Sequence, residues 1–403
     1  MNSDSLRVYA DHHATTPMRP EVFEAMRPWL TGLTANPSSV HAEGRRARQA
    51  VEEARAAVAR AISARSDEII LTAGGTEADN LALAGAARAL AEKDPKRRRL
   101  LVSAAEHAAV REGAKSILSQ GFTLEELPLG PEGVPANADV VARLGADVAV
   151  VSLILATNET GAIHCGVPAL AEAVHGVGAV LHTDAVQAVG KIPVSVEALG
   201  VDLLSLAAHK FGGPKGAGAL YVRKGTRLWP LLVGGSQERG RRAGTENVAA
   251  LVGLGVAIER AASILEEERV RLAALRDSFE TRLAAALPGV RFNGRDTFAE
   301  RLPTVSSVTF PGAEGETLLF ALDLEGVAVS AGSACSAGSM SVSRTLLASG
   351  VSEEDARSTL RFSFGWSSTP GDVDALLALI PRVVAQVAGS SLATPAPAIS
   401  AQA

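Results

Sequence analysis

Lys210 lies in Ser205-Leu-Ala-Ala-His209-Lys210-Phe-Gly-Gly-Pro214, at the end of an apolar run from Val201 to Ala207 and directly before a Gly/Pro turn. Burial penalises an ammonium and lowers its pKa, turning a solvated cation into an amine nucleophile. Such an amine condenses with a carbonyl to give a Schiff base. Taken singly, a lysine at a strand end is more often a surface charge with a buried stem. The case therefore rests on what the rest of the chain brings to it.

In parallel α/β sheets, ligands bind at the carboxyl ends of the strands. One candidate strand runs into Ala73-Gly74-Gly75-Thr76-Glu77. Gly75 and Thr76 at a helix start offer a phosphate site, though the same pattern describes a simple capped turn. The next strand leads to Ala105-Glu106-His107. A histidine there can lie against a flat heteroaromatic ring and carry protons, or merely begin a helix. Asn158, in Ala156-Thr-Asn158-Glu-Thr-Gly161, can donate to a ring oxygen or a carboxylate, or be a polar turn. Asp184 ends the apolar run Ala179–Thr183, where an unpaired acid is costly. A protonated pyridine nitrogen would pair it, and Gln187 can reach the same ring. A lysine and an acid at successive strand ends, with a Gly-Thr phosphate turn, are what a pyridoxal-phosphate site requires.

Two further residues extend this set. Cys335 sits in Ser330-Ala-Gly-Ser-Ala-Cys335-Ser-Ala-Gly-Ser339, a run of small residues expected to form a mobile loop. A mobile thiol suits a nucleophile that visits one site and delivers to another, provided it is present as thiolate. Arg361, within Leu360-Arg-Phe-Ser-Phe364, is suited to bidentate capture of a carboxylate, or to an ordinary ion pair.

The elements that must position these residues follow from the hydrophobic pattern. Glu68–Thr72, Leu100–Ala104, Asp147–Leu153, Ala179–Thr183, Val201–Ala207 and Ala217–Val222 read as strands. Helical patterns at Glu77–Lys93, His107–Gln120 and Pro168–Gly176 lie between them. Near-continuous apolar strands separated by helices predict a mostly parallel sheet covered on both faces. One long Ala/Leu-rich helical pattern then runs from Glu246 to about Leu287 as a connector. Beyond it, strands at Thr304–Phe310 and Thr359–Phe364 with helices at Glu314–Leu324 and Asp372–Val387 predict a smaller α+β unit.

Composition bounds the rest. With 403 residues, 47% hydrophobic and 21% charged, the chain is an ordinary globular protein large enough for two units. Aromatics are 4%, so the core must come from Ala, Val and Leu. A net charge of −5 gives no reason to expect nucleic-acid or membrane binding. The basic cluster Lys93 to Arg99 reads as a solvated loop before a strand. Residues 1–7 are polar and no signal-type apolar segment follows, so a cytoplasmic protein is expected. Two cysteines, Cys165 and Cys335, exclude a disulfide framework and a cysteine-built zinc site; no metal is expected.

With these residues in view, the chain resembles the cysteine desulfurases of NifS/IscS type, within the class-V aminotransferase family of fold-type I pyridoxal-phosphate enzymes. The resemblance is carried by Tyr9-Ala-Asp-His-His-Ala-Thr-Thr-Pro17, Asn36-Pro-Ser-Ser-Val-His41, Gly75-Thr76-Glu77-Ala-Asp79-Asn80, Asn158-Glu-Thr-Gly161, His209-Lys210, Gly244-Thr245-Glu246-Asn247 and Gly332-Ser-Ala-Cys335-Ser336. It implies a large pyridoxal-phosphate domain over residues 16–262. Residues 1–15 and 263–389 would form the small domain that carries the cysteine loop, and 390–403 a disordered tail.

The resemblance also implies roles. Lys210 would hold the cofactor, Asp184 pair with its ring nitrogen, Gln187 meet its hydroxyl and His107 stack on the ring. Gly75, Thr76, His209 and Thr245 from the partner of a homodimer would bind the phosphate. Arg361 and Asn158, with Asn36, would position L-cysteine. Lys210 and His107 would move protons, while Cys335 takes the sulfur as a persulfide for an acceptor such as an iron–sulfur scaffold.

Three departures stand out. Ala207 replaces a common phosphate-binding serine, a loss of about 1 kcal/mol on the scale of one hydrogen bond. Met340-Ser-Val-Ser343 replaces a Glu-Pro-Ser stretch and bears on partner choice. Cys165, after His164, has no counterpart; it reads as a structural thiol, or with His164 as an adventitious metal pair. The rival readings are a selenocysteine lyase or another pyridoxal-phosphate enzyme of the same family, and a non-catalytic adaptor.

Overall fold

The computed structural model describes residues 8–331 and 342–391, so Cys335 and the expected tail beyond residue 391 lie outside the described residues. A seven-stranded sheet forms the larger unit. Across it the strands run Ile69–Thr72, Gly218–Val222, Leu203–Ala207, Val180–Asp184, Val148–Ser152, Arg99–Ser103 and Thr123–Leu127. Only Gly218–Val222 runs against its neighbours. Val148–Ser152 and Leu203–Ala207 are buried at every position, as expected of strands covered on both faces.

One face is covered by the helix Gly75–Lys93, whose alanines 78, 82, 84, 86 and 87 pack on Ile70, Leu100, Val102, Val150 and Leu203. The other face carries Ala42–Ala61, Val167–Gly176 and Val248–Ser263. Alanine-rich helices permit close approach. A Cβ on Gly255 would stand 2.9 Å from Ala54 Cα, so the helices Ala42–Ala61 and Val248–Ser263 meet almost backbone to backbone.

The strand Ile69–Thr72 lies at the sheet edge and its free groups are satisfied by side chains. Arg55 Nη1 donates to Ile69 O at 2.9 Å, and Leu71 N donates to Glu238 Oε2 at 3.0 Å. Arg55 and Glu238 themselves form a buried bidentate pair at 2.6 and 2.7 Å. Glu238 and Arg239 adopt positive φ, 47° and 59°. Non-glycine residues in this region cost about 1–3 kcal/mol each, which the fully paired carboxylate offsets.

The single connector expected over 246–287 is instead two helices, Val248–Ser263 and Leu265–Ala286, bent by 74°. Ser263 Oγ donates back to Arg260 O, which competes with helix continuation. Glu266, Glu267 and Glu268 then favour a fresh helix N-terminus. No single described helix is long and apolar enough to cross a membrane.

The second unit is a four-stranded antiparallel sheet ordered Ser330–Ala331, Thr359–Ser363, Val305–Thr309 and Arg291–Phe292. Its core gathers Phe279, Phe310, Phe362 and Phe364, with Phe279 and Phe362 ring centroids 4.9 Å apart. The few aromatics of the sequence are thus concentrated here. The helix Pro370–Ser391 packs on this core and continues through the first two residues of the expected tail. Val8 and Ala10 join the same core, and Val8–Tyr9 pairs in parallel with Val327–Ala328. From there residues 11–16 cross towards the larger sheet, and this crossing is what the site is built around.

Candidate active site

Five of the seven strands of the larger sheet deliver groups from their carboxyl ends to a common cavity of about 350 Å³. After Thr72 the chain turns at Gly74, with φ 152°, and the long helix begins at Gly75. The turn is tightly packed: a Cβ on Gly75 would stand 2.8 Å from Val186 Cγ2. No side chain caps the helix at Gly74, so its first amides are open where Gly75 and Thr76 line the cavity. Ala207 lies beside this turn, 3.6 Å from a Cβ built on Gly75. The expected missing hydroxyl is therefore a methyl at the mouth of the amide cradle.

His107 is the N-cap of the helix Ala108–Lys115, its Nδ1 accepting from Ala109 N at 3.2 Å, and it also lines the cavity. The helix-start and the cavity reading of this histidine thus hold together. Burial pushes its imidazolium down, with repulsion from Lys210 and Arg111 adding and Asp184 opposing. Asp184 is buried at the end of its strand, where Oδ1 accepts from Val186 N at 2.9 Å. Burial raises its pKa, and His107 and Lys210 draw it back.

Lys210 closes the turn Ala208–Lys210 after its strand. Its Nζ donates to two carbonyls of the crossing segment, His13 O at 2.5 Å and Ala14 O at 2.9 Å. Burial, then Arg361, lower its pKa from 10.5 to about 8, against the pull of Asp184 and Asp11. The amine should therefore become nucleophilic in the physiological range. In cofactor-free protein, capture of an added aromatic aldehyde should accelerate as pH rises through about 8 and then level off. Stopped-flow absorbance checks this; a rate still climbing beyond pH 10 refutes it.

Gln187 lines the cavity, donates through Nε2 to His13 O at 2.9 Å, and accepts at Oε1 from the buried Lys191. His209 is held by Thr15, with Nδ1 and Oγ1 3.2 Å apart, and burial lowers it to about 4. Asn158 lines the cavity while its backbone carbonyl accepts from His13 Nδ1 at 3.0 Å and Arg361 Nη1 at 3.2 Å. Arg361 enters from the small sheet, buried, and pairs with Asp11 at 2.8 Å.

Two of the expected residues stand elsewhere. Thr245 is exposed and outside this cavity. Asn36 is exposed too, and its Oδ1 accepts from Ser38 N at 2.9 Å, shaping its own turn. Cys165 is exposed, which corrects its reading as a structural thiol, whereas His164 beside it is buried.

Four residues that matter here were given no role from the sequence: Asp11, His13 and Asp79, which lie in the motifs quoted above, and Lys191. Asp79 lines the cavity, and one of its oxygens lies within 4.8 Å of ligand atoms of both His107 and Asp184. Burial and repulsion from Asp184 hold Asp79 well above the carboxylate range, and the same holds for Glu106 behind it. Two neighbouring buried acids cannot both ionise cheaply.

The aminotransferase class-V family matches residues 8–376. Among its relatives, the cysteine desulfurase IscS of Dictyoglomus turgidum is 46% identical over 377 residues, 94% of each chain. The cysteine desulfurase NifS of Azotobacter vinelandii is 40% identical over 381 residues, 94% of this chain and 93% of that one. The chain belongs to the cysteine desulfurase branch of the class-V aminotransferases. Among solved structures of this family, a NifS-like protein superposes with TM-score 0.86 at 34% identity, covering 94% of this chain and all of that one. A NifS-like protein from Rickettsia africae gives 0.81 at 28%, covering 94% and 99%. The doubly covered sheet with its appended smaller unit is the architecture of these pyridoxal-phosphate enzymes.

The residues present fit that cofactor. A half-buried amine with lowered basicity, an acid with no cation bonded to it among the described residues and an uncapped helix N-terminus line one cavity.

Proposed function

We propose that this protein is a cysteine desulfurase that takes sulfur from L-cysteine, leaves L-alanine, and passes the sulfur from Cys335 to an acceptor. The observation that carries the reading is the convergence of Lys210, Asp184 and the Gly75–Thr76 amides on a cavity whose opposite wall is Arg361. A solved relative, SspA, 32% identical with TM-score 0.77, covering 89% of this chain and 99% of that one, is described in complex with cysteine.

Lys210 would hold pyridoxal phosphate covalently, with Asp184 at its ring nitrogen, His107 over its face, and Gly75, Thr76 and His209 at its phosphate. Bound there, the cofactor supplies an electron sink for charge developing next to the substrate nitrogen. The chain's own residues do the rest. Arg361 and Asn158 hold the substrate carboxylate. Lys210, once released as a free amine, carries the Cα proton, and His107 serves as a second proton carrier. Cys335 as thiolate attacks the substrate sulfur: a sulfur–sulfur bond forms while the substrate carbon–sulfur bond breaks. Protonation of the remaining carbon skeleton gives alanine. The balance is L-cysteine plus Cys335 thiol to L-alanine plus Cys335 persulfide, which an iron–sulfur scaffold or another sulfur carrier then discharges.

Thr245 is exposed, and Gly244 and Thr245 end a loop held by Arg242–Glu77 and Arg55–Glu238. In a homodimer this loop would complete the phosphate site of the partner.

The test is product analysis with L-cysteine, pyridoxal phosphate and a thiol reductant. Sulfide and alanine should appear in equal amounts. Alanine without sulfide, or no turnover of L-cysteine, would sink the reading.

A further inference from the structure

Arg361 meets the cavity with two of its nitrogens already engaged. Nη2 donates to Asp11 Oδ1 at 2.8 Å and Nη1 to Asn158 O at 3.2 Å. A guanidinium has five N–H donors, so three remain unused among the described residues. One of them, on Nε, is buried with no partner among the described residues. Arg361, Asn158 and Ser330 line the cavity, whereas Asp11 does not; its carboxylate stands behind the guanidinium rather than in the space a substrate would fill.

Asp11 is itself held rigidly. Its Oδ1 also accepts from Ser330 Oγ at 2.9 Å. Its backbone is bridged to Ser363, two residues along the strand that carries Arg361, and Ser363 N donates to Ala10 O at 2.7 Å. The acid and the arginine are thus fixed to one strand, and their charge-assisted bond sets the orientation of a planar group. A free arginine side chain samples many rotamers, and this arrangement restricts them before any ligand arrives.

We propose that Asp11 is the positioning residue for carboxylate recognition: it presents the unused donors of Arg361 to the cavity and so makes the site prefer amino acids to the corresponding amines. This rests on the reading of Arg361 as the substrate-carboxylate group. A carboxylate competing for Arg361 would have to project into the cavity, and Asp11 does not.

The experiment uses the holoenzyme and two probes, L-alanine and ethylamine, the second having hydrogen in place of the carboxylate. Dissociation constants are read from the change in cofactor absorbance, so sulfur turnover is not required and a failure of the desulfurase reading remains separately visible. In Asp11→Ala, L-alanine should bind about tenfold more weakly while ethylamine is unchanged. In Asp11→Asn, which keeps both hydrogen bonds and loses the charge, the loss should be about threefold, which covers the case of an alanine variant that does not fold. With L-cysteine, KM should rise with kcat within about twofold. Equal weakening of both probes, tighter L-alanine binding, or wild-type discrimination in Asp11→Asn each overturns the proposal.

Discussion

Replacing Lys210 by alanine is expected to cut L-cysteine turnover by at least about 10³-fold while leaving the fold intact. A positioned acid–base group contributes about 10²–10⁴ in rate, and this residue is also the covalent anchor of the cofactor. The fold should survive because a half-buried amine is partly desolvated and supports no hydrophobic packing. Lys210 closes a short turn, and only the carbonyls of His13 and Ala14 lose a donor. Its amine is not replaceable from nearby. Lys191 is buried, is not among the cavity-lining residues, and its Nζ donates to Gln187 Oε1. Lys215 is exposed and outside the cavity. Sulfide release measures the loss, and borohydride reduction followed by mass analysis should find no cofactor attached to the variant. Turnover within about tenfold of wild type would assign the proton transfers elsewhere.

The contrast between Lys210 and the residues that hold it shows what a sequence can reveal. A charged group at the end of an apolar strand, or inside one, is an anomaly visible in one dimension, and Lys210 and Asp184, then Arg361, stood out for that reason. The six core strands were legible too, because burial on both faces leaves unbroken apolar runs. Thr123–Leu127 was not. It is the outer strand of the sheet, Thr-Leu-Glu-Glu-Leu, and its half-exposed polar residues look like loop. The bend at Ile264 was hidden because Ala and Leu recur on both sides of it with no Gly or Pro at the break. In the site, Asp11 and His13 act through contacts 350 and 197 residues away in the chain, which no local pattern encodes. Asp79 sits inside an alanine-rich helix where an acid reads as an ordinary polar turn; only the fold sets it against Asp184. Thr245 and Asn36 entered through resemblance alone, and the geometry of one chain leaves both at the surface.

Replacing Cys335 by alanine is expected to abolish sulfide release, by at least about 10³-fold, the scale on which loss of a nucleophile acts. The cofactor-binding residues are untouched by this change, so the visible absorbance should still respond to L-cysteine. Substrate binding and sulfur removal are thereby separated. The chain has one other thiol, and its surroundings argue against it as a substitute. Cys165 lies outside the cavity, with Sγ directed at Ile163 O. Partial desolvation of this surface thiol and the carboxylates of Glu300 and Glu132 push it up, so the nucleophilic thiolate is scarce at neutral pH. Cys165→Ala should accordingly retain wild-type turnover and a persulfide detectable by mass on the remaining cysteine. The paired variants decide the mechanism. Sulfide lost in Cys335→Ala and kept in Cys165→Ala ties sulfur transfer to one thiol. Sulfide kept in Cys335→Ala would mean that sulfur leaves the substrate without a protein persulfide, and the enzyme would then be a lyase rather than a sulfur carrier.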